Sequence, residues 1–278
     1  MAMPFYVSPE QQMKDRAEYA RKGIARGRAL VAMEFAHGVL FVGENPSSSL
    51  YKTSEIYDRI AYAAVGKYNE YEALRVSGIR LADVKGYQYG REDVIGKGLA
   101  NAYSQALGGI FMGDGKPFEV EVLIAQVDGT GVGVIDGANV AGVDLYHILY
   151  DGSIVDEHRF AAIGGQADAL MAALEHEWGE GLELEAAVAL GVGVLSRISE
   201  RDIPPGDLEI SGLDRRRPRR KFFRLDEART AAVLASAGTE TEAVAADTDT
   251  PEVDAAAPSD AAPDGPPPSD AAPDAPAE

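Results

Sequence analysis

The sequence predicts an α+β domain in which antiparallel sheets lie between layers of helices. Short apolar segments alternate with helical patterns in the order strands, helix pair, strands, helix pair, strands. Tight turns join consecutive strands, so these strands are expected to pair antiparallel. The grouped helices can then cover opposite faces of the stacked sheets.

The first element is predicted to be a helix over residues 8–27. Ser8 suits the N-cap, Pro9 the first helical position and Gln11 the capping-box position. Its apolar residues recur at helical spacing in one narrow stripe, namely Met13, Ala17, Ala20 and Ile24. Because the rest of the surface is charged, we expect this helix to pack against a large surface or another chain.

Two blocks of strands and a final pair of strands follow. The first block is predicted at residues 29–35, 39–42, 55–59 and 60–65. The second block runs from residue 118 to 163 and contains Tyr150-Asp151-Gly152-Ser153, which is typical of a type I′ hairpin turn. The final strands are expected at residues 207–213 and 222–225.

A pair of helices is predicted after each block of strands. Asn69 and Asp93 are the expected N-caps of the first pair. The inner face of the second helix of that pair is predicted from its apolar spacing to comprise Ile95, Leu99, Ala102, Ala106, Ile110 and Phe111. The second pair is expected between residues 167 and 198, and a short last helix over residues 226–235.

Composition divides the chain into a short leading segment (1–7), one domain (8–236) and a tail (237–278). The tail holds 11 of the 45 acidic residues, none of the 26 basic residues and 8 of the 15 prolines. Such a segment cannot bury enough apolar surface to offset its ordering entropy, so the tail is predicted to be disordered. The remaining domain is long enough to build its own core.

Composition also excludes several classes of site. The chain has no cysteine, so it has no disulfide, thiolate metal site or cysteine nucleophile. Its histidines have no metal-ligand spacing, and we find no cofactor-binding motif, so neither a metal nor a cofactor is expected. The absence of a long apolar run and of a signal-peptide pattern predicts a cytoplasmic protein without a membrane span. A net charge of −19 disfavours nucleic acid as a partner.

A basic run, Arg215-Arg216-Arg217-Pro218-Arg219-Arg220-Lys221, contrasts with this acidity. It is either a patch for an anionic partner or a turn between two strands whose charges pair with nearby acids. The acidity of the chain and the absence of interleaved aromatic residues favour the paired turn.

Several segments in a fixed order point to one family. They are Ser8–Gln11, Glu18–Arg21, Arg21–Arg26, Gly27, Ala32–Leu40, Glu44–Ser47, Tyr57–Arg59, Gly66–Glu70 and Arg217–Arg220. Together these segments resemble the α subunits of proteasomes, and in their details the actinobacterial branch. The resemblance covers residues 4–225 and leaves out the acidic tail.

The resemblance implies a non-catalytic version of the N-terminal-nucleophile hydrolase fold, a four-layer α/β/β/α sandwich of two antiparallel sheets between helix layers. It implies a subunit that forms a seven-membered ring, caps the catalytic β rings of the 20S core and gates their axial pore. The first residues of the chain would form this gate, with Pro4, Phe5, Tyr6, Val7, Ser8 and Pro9 as its candidates. The Tyr-Asp-Arg gate motif of archaeal and eukaryotic α subunits is missing from this segment.

The same resemblance predicts that the chain is not itself an enzyme. Catalytic subunits of the family use a processed N-terminal threonine whose own amine acts as base. Arg28 stands where that threonine opens its strand, and Glu44 corresponds to an acidic residue that supports the nucleophile. The alternative is a self-processed N-terminal-nucleophile hydrolase or a catalytic β-type subunit, which needs a cleavage that exposes a new Thr or Ser.

The resemblance also implies a pocket for an activator. In the family, a lysine between adjacent α subunits meets the C-terminal carboxylate of the activator, and Lys52 matches it. Gly27 corresponds to a pocket glycine that leaves room for the inserted tail. The implied activator is a hexameric ring ATPase that delivers proteins tagged with a small ubiquitin-like modifier.

Overall fold

The computed structural model describes residues 8–127 and 142–246, with side chains described as far as residue 236. The predicted gate residues Pro4, Phe5, Tyr6 and Val7 lie outside the described residues, as do residues 247–278 of the predicted tail.

The described residues form six α-helices and ten strands. The helices are α1 (Pro9–Ala25), α2 (Tyr68–Gln88), α3 (Gly96–Met112), α4 (Ala167–Glu177), α5 (Leu184–Ser199) and α6 (Glu227–Ala246). The first five strands are β1 (Leu30–Phe35), β2 (Gly38–Glu44), β3 (Thr53–Tyr57), β4 (Ile60–Gly66) and β5 (Val120–Val127). The others are β6 (Val143–Ile148), β7 (Ile154–Glu157), β8 (Phe160–Ile163), β9 (Leu208–Asp214) and β10 (Phe222–Arg224).

The strands form two five-stranded sheets with the orders β10-β9-β2-β1-β8 and β3-β4-β5-β6-β7. Every described strand pair is antiparallel, because each sheet is built from hairpins and returning connections. The sheets face each other across an apolar core that includes Leu30, Phe41, Ala63, Leu123 and Leu145. Alternate residues of β1, such as Val31 and Met33, point to the other side.

Helices cover both outer faces. Helices α2 and α3 pack on the sheet that contains β4 and β5, and helices α4 and α5 pack on the sheet that contains β1 and β2. The predicted α+β sandwich of two antiparallel sheets between helix layers is therefore confirmed. In the part of the chain that the structure describes, no helix is both long and apolar enough to cross a membrane.

Helix α1 begins as the sequence predicts and packs through its narrow stripe. The Ser8 hydroxyl accepts a hydrogen bond from the Gln11 amide at 3.3 Å, while the Gln11 side chain donates to Asp15 instead of closing the capping box. Ala20 and Ile24 are buried in a small cluster with Phe111 of α3 and Tyr150. Arg16 donates to the carbonyl of Phe111 at 2.8 Å, so α1 is fastened to the C-terminal end of α3.

The predicted N-cap Asn69 is wrong, because α2 starts earlier. Lys67 occupies the N-cap position, and Asn69 lies inside the first turn. The chain is fixed just before this point, since Gly66 ends β4 opposite Val120 and the Lys67 amide donates to the carbonyl of Glu119 at 2.9 Å. Strand pairing, and not a local cap, sets where α2 begins.

The predicted N-cap Asp93 is also wrong. Asp93 ends a short 3₁₀ turn (Arg91–Asp93), and α3 begins at Gly96 with Ile95 as its N-cap. The free amide of Gly96 donates to the buried side chain of Gln126 on β5. A tertiary contact thus satisfies the donor that a capping side chain would have bound.

The inner face of α3 differs in part from the prediction. Its buried residues include Leu99, Tyr103, Leu107 and Phe111, whereas Ala106 is exposed. Tyr103 can turn inward because α2 carries Gly78 opposite it, where a Cβ would lie 1.8 Å from the tyrosine oxygen.

The turn at residues 150–153 joins β6 to β7 as predicted, but it is not type I′. That type needs two successive residues at positive φ, and only Gly152 has one, at 88°. The Gly152 amide donates to the carbonyl of Leu149 at 2.9 Å, which leaves Tyr150 free to bury its ring against Phe111.

Helix α6 extends to Ala246, ten residues past the end of the domain predicted at residue 236. The last helix is therefore longer than the short helix predicted over residues 226–235, and the disorder of the tail stays a prediction. Residues 237–246 are mostly Ala, Thr and Glu, and the first proline of the tail is Pro251. Alanine and glutamate favour helix, and without proline nothing in this segment forbids its continuation.

Two glycines of α5 provide a test of how tightly this helix packs on the sheet. A Cβ on Gly191 would lie 2.9 Å from Val42 Cγ2, whereas a Cβ on Gly193 would meet nothing within 4 Å. We expect Gly191→Ala to lower the free energy of unfolding by about 1–3 kcal/mol through overpacking. Gly193→Ala should raise it by up to about 1 kcal/mol through helix propensity. Denaturant unfolding of the two variants checks this, and equal effects would contradict the packing described.

Candidate functional site

A compact loop between β2 and β3 carries Lys52. The Asn45 side-chain amide donates to the carbonyl of Leu50 at 2.8 Å, and its oxygen accepts from the Ser47 amide at 3.1 Å. The Ser47 hydroxyl accepts from the Leu50 amide at 3.1 Å. Asn45 and Ser47 therefore fold the loop on itself, and Lys52 lies at its end, directly before β3.

The Lys52 side chain lies beside the start of β1. Its Nζ donates to the carbonyl of Arg28 at 2.6 Å. Burial lowers the pKa of Lys52 to about 8; the negative charge of Glu209 opposes this shift and the positive charge of Arg28 adds to it. The site thus holds an amine that is partly removed from water and is still mostly charged near neutral pH.

Glu209 on β9 is a functional candidate that the sequence analysis missed. Its side chain is only 5% exposed, and it accepts hydrogen bonds from the backbone amides of Lys52 and Thr53 at 2.9 and 3.0 Å. One sequence signal could have found it, since Glu209 is the single charged residue between Leu208 and Leu213. A lone carboxylate in a buried strand needs partners.

Gly27 follows helix α1 at the same end of β1. A Cβ on this residue would lie 2.6 Å from Val65 Cγ1 and 3.0 Å from the carbonyl of Ile24. Its own carbonyl accepts from the Gly165 amide at 3.1 Å. Gly27 directly precedes Arg28, whose carbonyl Lys52 contacts, so the two predicted pocket residues lie close together.

A cavity of about 230 Å³ opens at the start of β1. Gly27, Arg28, Glu44, Ser199 and Arg201 are among its lining residues. Of the two predicted pocket residues, Gly27 lines the cavity, whereas Lys52 does not and contacts the carbonyl of the lining residue Arg28.

Glu44 lies in this cavity between two arginines. Its side chain is 6% exposed and forms ion pairs with Arg28 and Arg201. Among the described lining residues, Ser199 carries the one hydroxyl, and it donates to the carbonyl of Ser196 at 3.2 Å. The cavity therefore holds a carboxylate that is paired with two arginines and a hydroxyl that donates to a carbonyl of its own helix.

Ser8 and Pro9, the two gate candidates within the described residues, form the N-cap and first residue of α1. Within the described ranges, no group of acidic residues and histidines is arranged to hold a metal ion.

The basic run Arg215–Lys221 forms the turn between β9 and β10. Arg216 makes two contacts with Asp214 at 3.1 and 3.2 Å, and Arg220 pairs with Glu55 of β3. Lys221 Nζ donates to the carbonyls of Arg215, at 2.7 Å, and Arg217. Arg216 and Arg220 therefore pair with acidic residues of the same chain, as the paired turn predicts, whereas Lys221 binds backbone carbonyls.

Comparison with known proteins gives consistent matches. A family model described as "Proteasome subunit" matches residues 24–211. "Proteasome subunit alpha" of Nocardioides sp. is 53% identical over 242 residues, which cover 86% of this chain and 91% of that protein. The protein of the same name from Kineococcus radiotolerans is 51% identical over 86% of this chain and 100% of its own length. The one from Acidothermus cellulolyticus is 53% identical over 81% of this chain and 94% of its own length.

The tight fit around Gly27 can be tested by a double-mutant cycle. Gly27→Ala should lower the free energy of unfolding by about 1–3 kcal/mol, because the new methyl group collides with Val65. In a Val65→Ala background that added loss should shrink, giving a coupling energy of at least about 0.5 kcal/mol. Gly179→Ala, with nothing within 4 Å of its Cβ, is the control. Additive effects of the two substitutions would contradict the contact.

Proposed function

This chain belongs to the proteasome subunit family, and on that premise we propose that it is a non-catalytic α-type subunit of the cytoplasmic 20S core. In this proposal seven copies form a ring, and the ring caps the catalytic β rings and gates the passage of substrates. It also docks a hexameric ring ATPase for ATP-dependent degradation of tagged proteins.

One observation carries the non-catalytic part of the proposal. Arg28, which has no hydroxyl, lies two residues before β1, and its guanidinium engages Glu44. The chain runs without a break in the described residues from α1 into β1, so an amine at this point would require cleavage. A threonine-type nucleophile needs both a free hydroxyl and a base, and the arrangement at Arg28 offers neither.

Docking of the activator is proposed to use the charge of Lys52. An ammonium group has three hydrogen-bond donors, and the described contacts of Lys52 Nζ use one of them, on Arg28. A carboxylate can accept from the others in a charge-assisted contact, which is strengthened where water is partly excluded. Gly27 keeps the neighbouring backbone free of side-chain bulk, and the gate is proposed to comprise Pro4, Phe5, Tyr6, Val7, Ser8 and Pro9.

The Lys52 assignment predicts a selective loss of function. Lys52→Ala should reduce ATPase-dependent degradation of a folded, tagged substrate about ten-fold or more, since a charge-assisted contact is worth about 1.5–3 kcal/mol. Cleavage of short fluorogenic peptides by the assembled core should be unchanged. Lys97→Ala, at an exposed lysine on α3, is the control. Full ATPase-dependent degradation by Lys52→Ala would contradict the assignment of Lys52 to the activator pocket.

The lowered pKa of Lys52 predicts a pH dependence of docking. A carboxylate ligand binds the protonated amine, so affinity should be retained below pH 8 and fall as pH rises through the pKa of about 8. Well above the pKa, the loss approaches about ten-fold per pH unit. Binding of a peptide that copies the C-terminal segment of the ATPase, followed by fluorescence anisotropy, measures this profile. Lys52→Arg, charged throughout this range, should flatten it; parallel profiles would contradict the assignment.

A further inference from the structure

Glu209 is a buried carboxylate to which the family resemblance assigns no role. We propose that Glu209 is a positioning residue for Lys52, holding the Lys52–Thr53 backbone so that the lysine presents its charge beside the start of β1. The inference rests on the proposed function, in which Lys52 receives the carboxylate of an activator. It adds to that pocket a residue of β9, which lies in the same sheet as β1.

The carboxylate of Glu209 gathers donors from both ends of the loop. Its Oε2 accepts from the Lys52 amide at 2.9 Å and from the Asn45 side chain at 2.7 Å. Its Oε1 accepts from the Thr53 amide at 3.0 Å and from the Thr53 hydroxyl. Both ends of the Asn45–Thr53 loop are therefore fixed to one side chain, and Lys52 lies at the point of attachment.

The location of Glu209 makes this attachment rigid. Glu209 lies on β9, where it pairs with Gly43 of β2 inside one sheet. Thr53 begins β3 of the opposite sheet, and the Ser211 hydroxyl of β9 donates to the Thr53 hydroxyl at 2.8 Å. Hydrogen bonds to β9 thus fix the loop that carries Lys52 to the sheet that also contains β1. The Lys52 Nζ contacts the carbonyl of Arg28 just before β1.

Arg224 completes the arrangement. Its guanidinium donates to the Thr53 carbonyl at 2.6 Å and lies 3.4 Å from Glu209 Oε1. It also stacks 3.8 Å from the ring centroid of Tyr51, the residue before Lys52. The negative charge of Glu209 is partly balanced by Arg224, and Tyr51 is held in place by the same cation.

Glu209 also affects the charge of Lys52. Burial and Arg28 lower the pKa of the lysine, and Glu209 is the acidic group that raises it. Replacing Glu209 by glutamine removes this opposing charge and should therefore lower the pKa of Lys52 below its value of about 8. A purely structural role elsewhere in the molecule would not change this titration.

The experiment uses core particles assembled with the β subunit and compares Glu209→Gln with wild type. The first readout is the pH dependence of labelling of Lys52 by trace acetic anhydride, quantified by mass spectrometry. The second is the affinity for the peptide that copies the C-terminal segment of the ATPase. We expect the labelling midpoint to move to lower pH and the affinity near neutral pH to fall about ten-fold or more.

Glu70→Gln is the matched control. Glu70 is 4% exposed, accepts from the Glu119 amide at 2.7 Å and pairs with Lys116 at 2.6 Å, so the substitution also removes a buried, paired carboxylate. It lies on α2, which packs on the other sheet. We expect Glu70→Gln to lower the stability about as much as Glu209→Gln does. It should leave the labelling of Lys52 and the affinity for the ATPase peptide unchanged. Asn45→Ala, which removes one donor to Glu209, replaces Glu209→Gln if that variant does not assemble, and it should lower the affinity for the same peptide.

The outcomes separate the two levels of the proposal. If Lys52→Ala abolishes peptide binding while Glu209→Gln, or Asn45→Ala in its place, leaves affinity and labelling unchanged, the positioning role is overturned and the pocket stands. If Lys52→Ala leaves binding unchanged, the docking proposal fails, and the labelling midpoint of Glu209→Gln still decides whether Glu209 controls the lysine.

Discussion

The apolar contact between the two sheets is the constraint on which the rest of the structure depends. Residues such as Leu30, Phe41 and Leu123 meet between the sheets and leave their neighbours along each strand to face the helices. This alternation fixes the register of β1 against β2 and places Arg28 and Glu44 at one edge of the sandwich. A slip of one residue would turn the core residues outward and dismantle that edge.

Among the described residues, three buried carboxylates lie around this core, and each is paired with at least one cation. Glu44 lies between Arg28 and Arg201, Glu209 faces Arg224, and Glu70 pairs with Lys116. Such pairs add little net stability, because desolvation offsets their attraction, but breaking one leaves a charge buried and unpaired. Their effect is positional: Glu44 engages the guanidinium of Arg28, Glu209 fixes the loop before β3, and Glu70 binds the segment before β5.

The order of the elements and the layered sandwich could be predicted from the spacing of apolar residues, because this spacing differs between strands and amphipathic helices. The starts of α2 and α3 did not follow, because strand pairing at Gly66 and the side chain of Gln126 replaced the local caps at Asn69 and Asp93. The role of Glu209 could not be predicted either, since its donors in the loop, Asn45, Lys52 and Thr53, are more than 150 positions away in the sequence. Lys52 was found through family resemblance, and its contact with Arg28 required the structure.

The central claim is that this chain is an unprocessed, ring-forming subunit without its own nucleophile. Native mass spectrometry of the complex purified from its own cells tests this claim most directly, because one measurement gives the copy number and the mass of each chain. The account predicts an assembly that contains the chain in multiples of seven, at its full mass apart from loss of Met1, together with a second subunit type. A free monomer, or a chain shortened to expose a new N-terminal Thr or Ser, would contradict it.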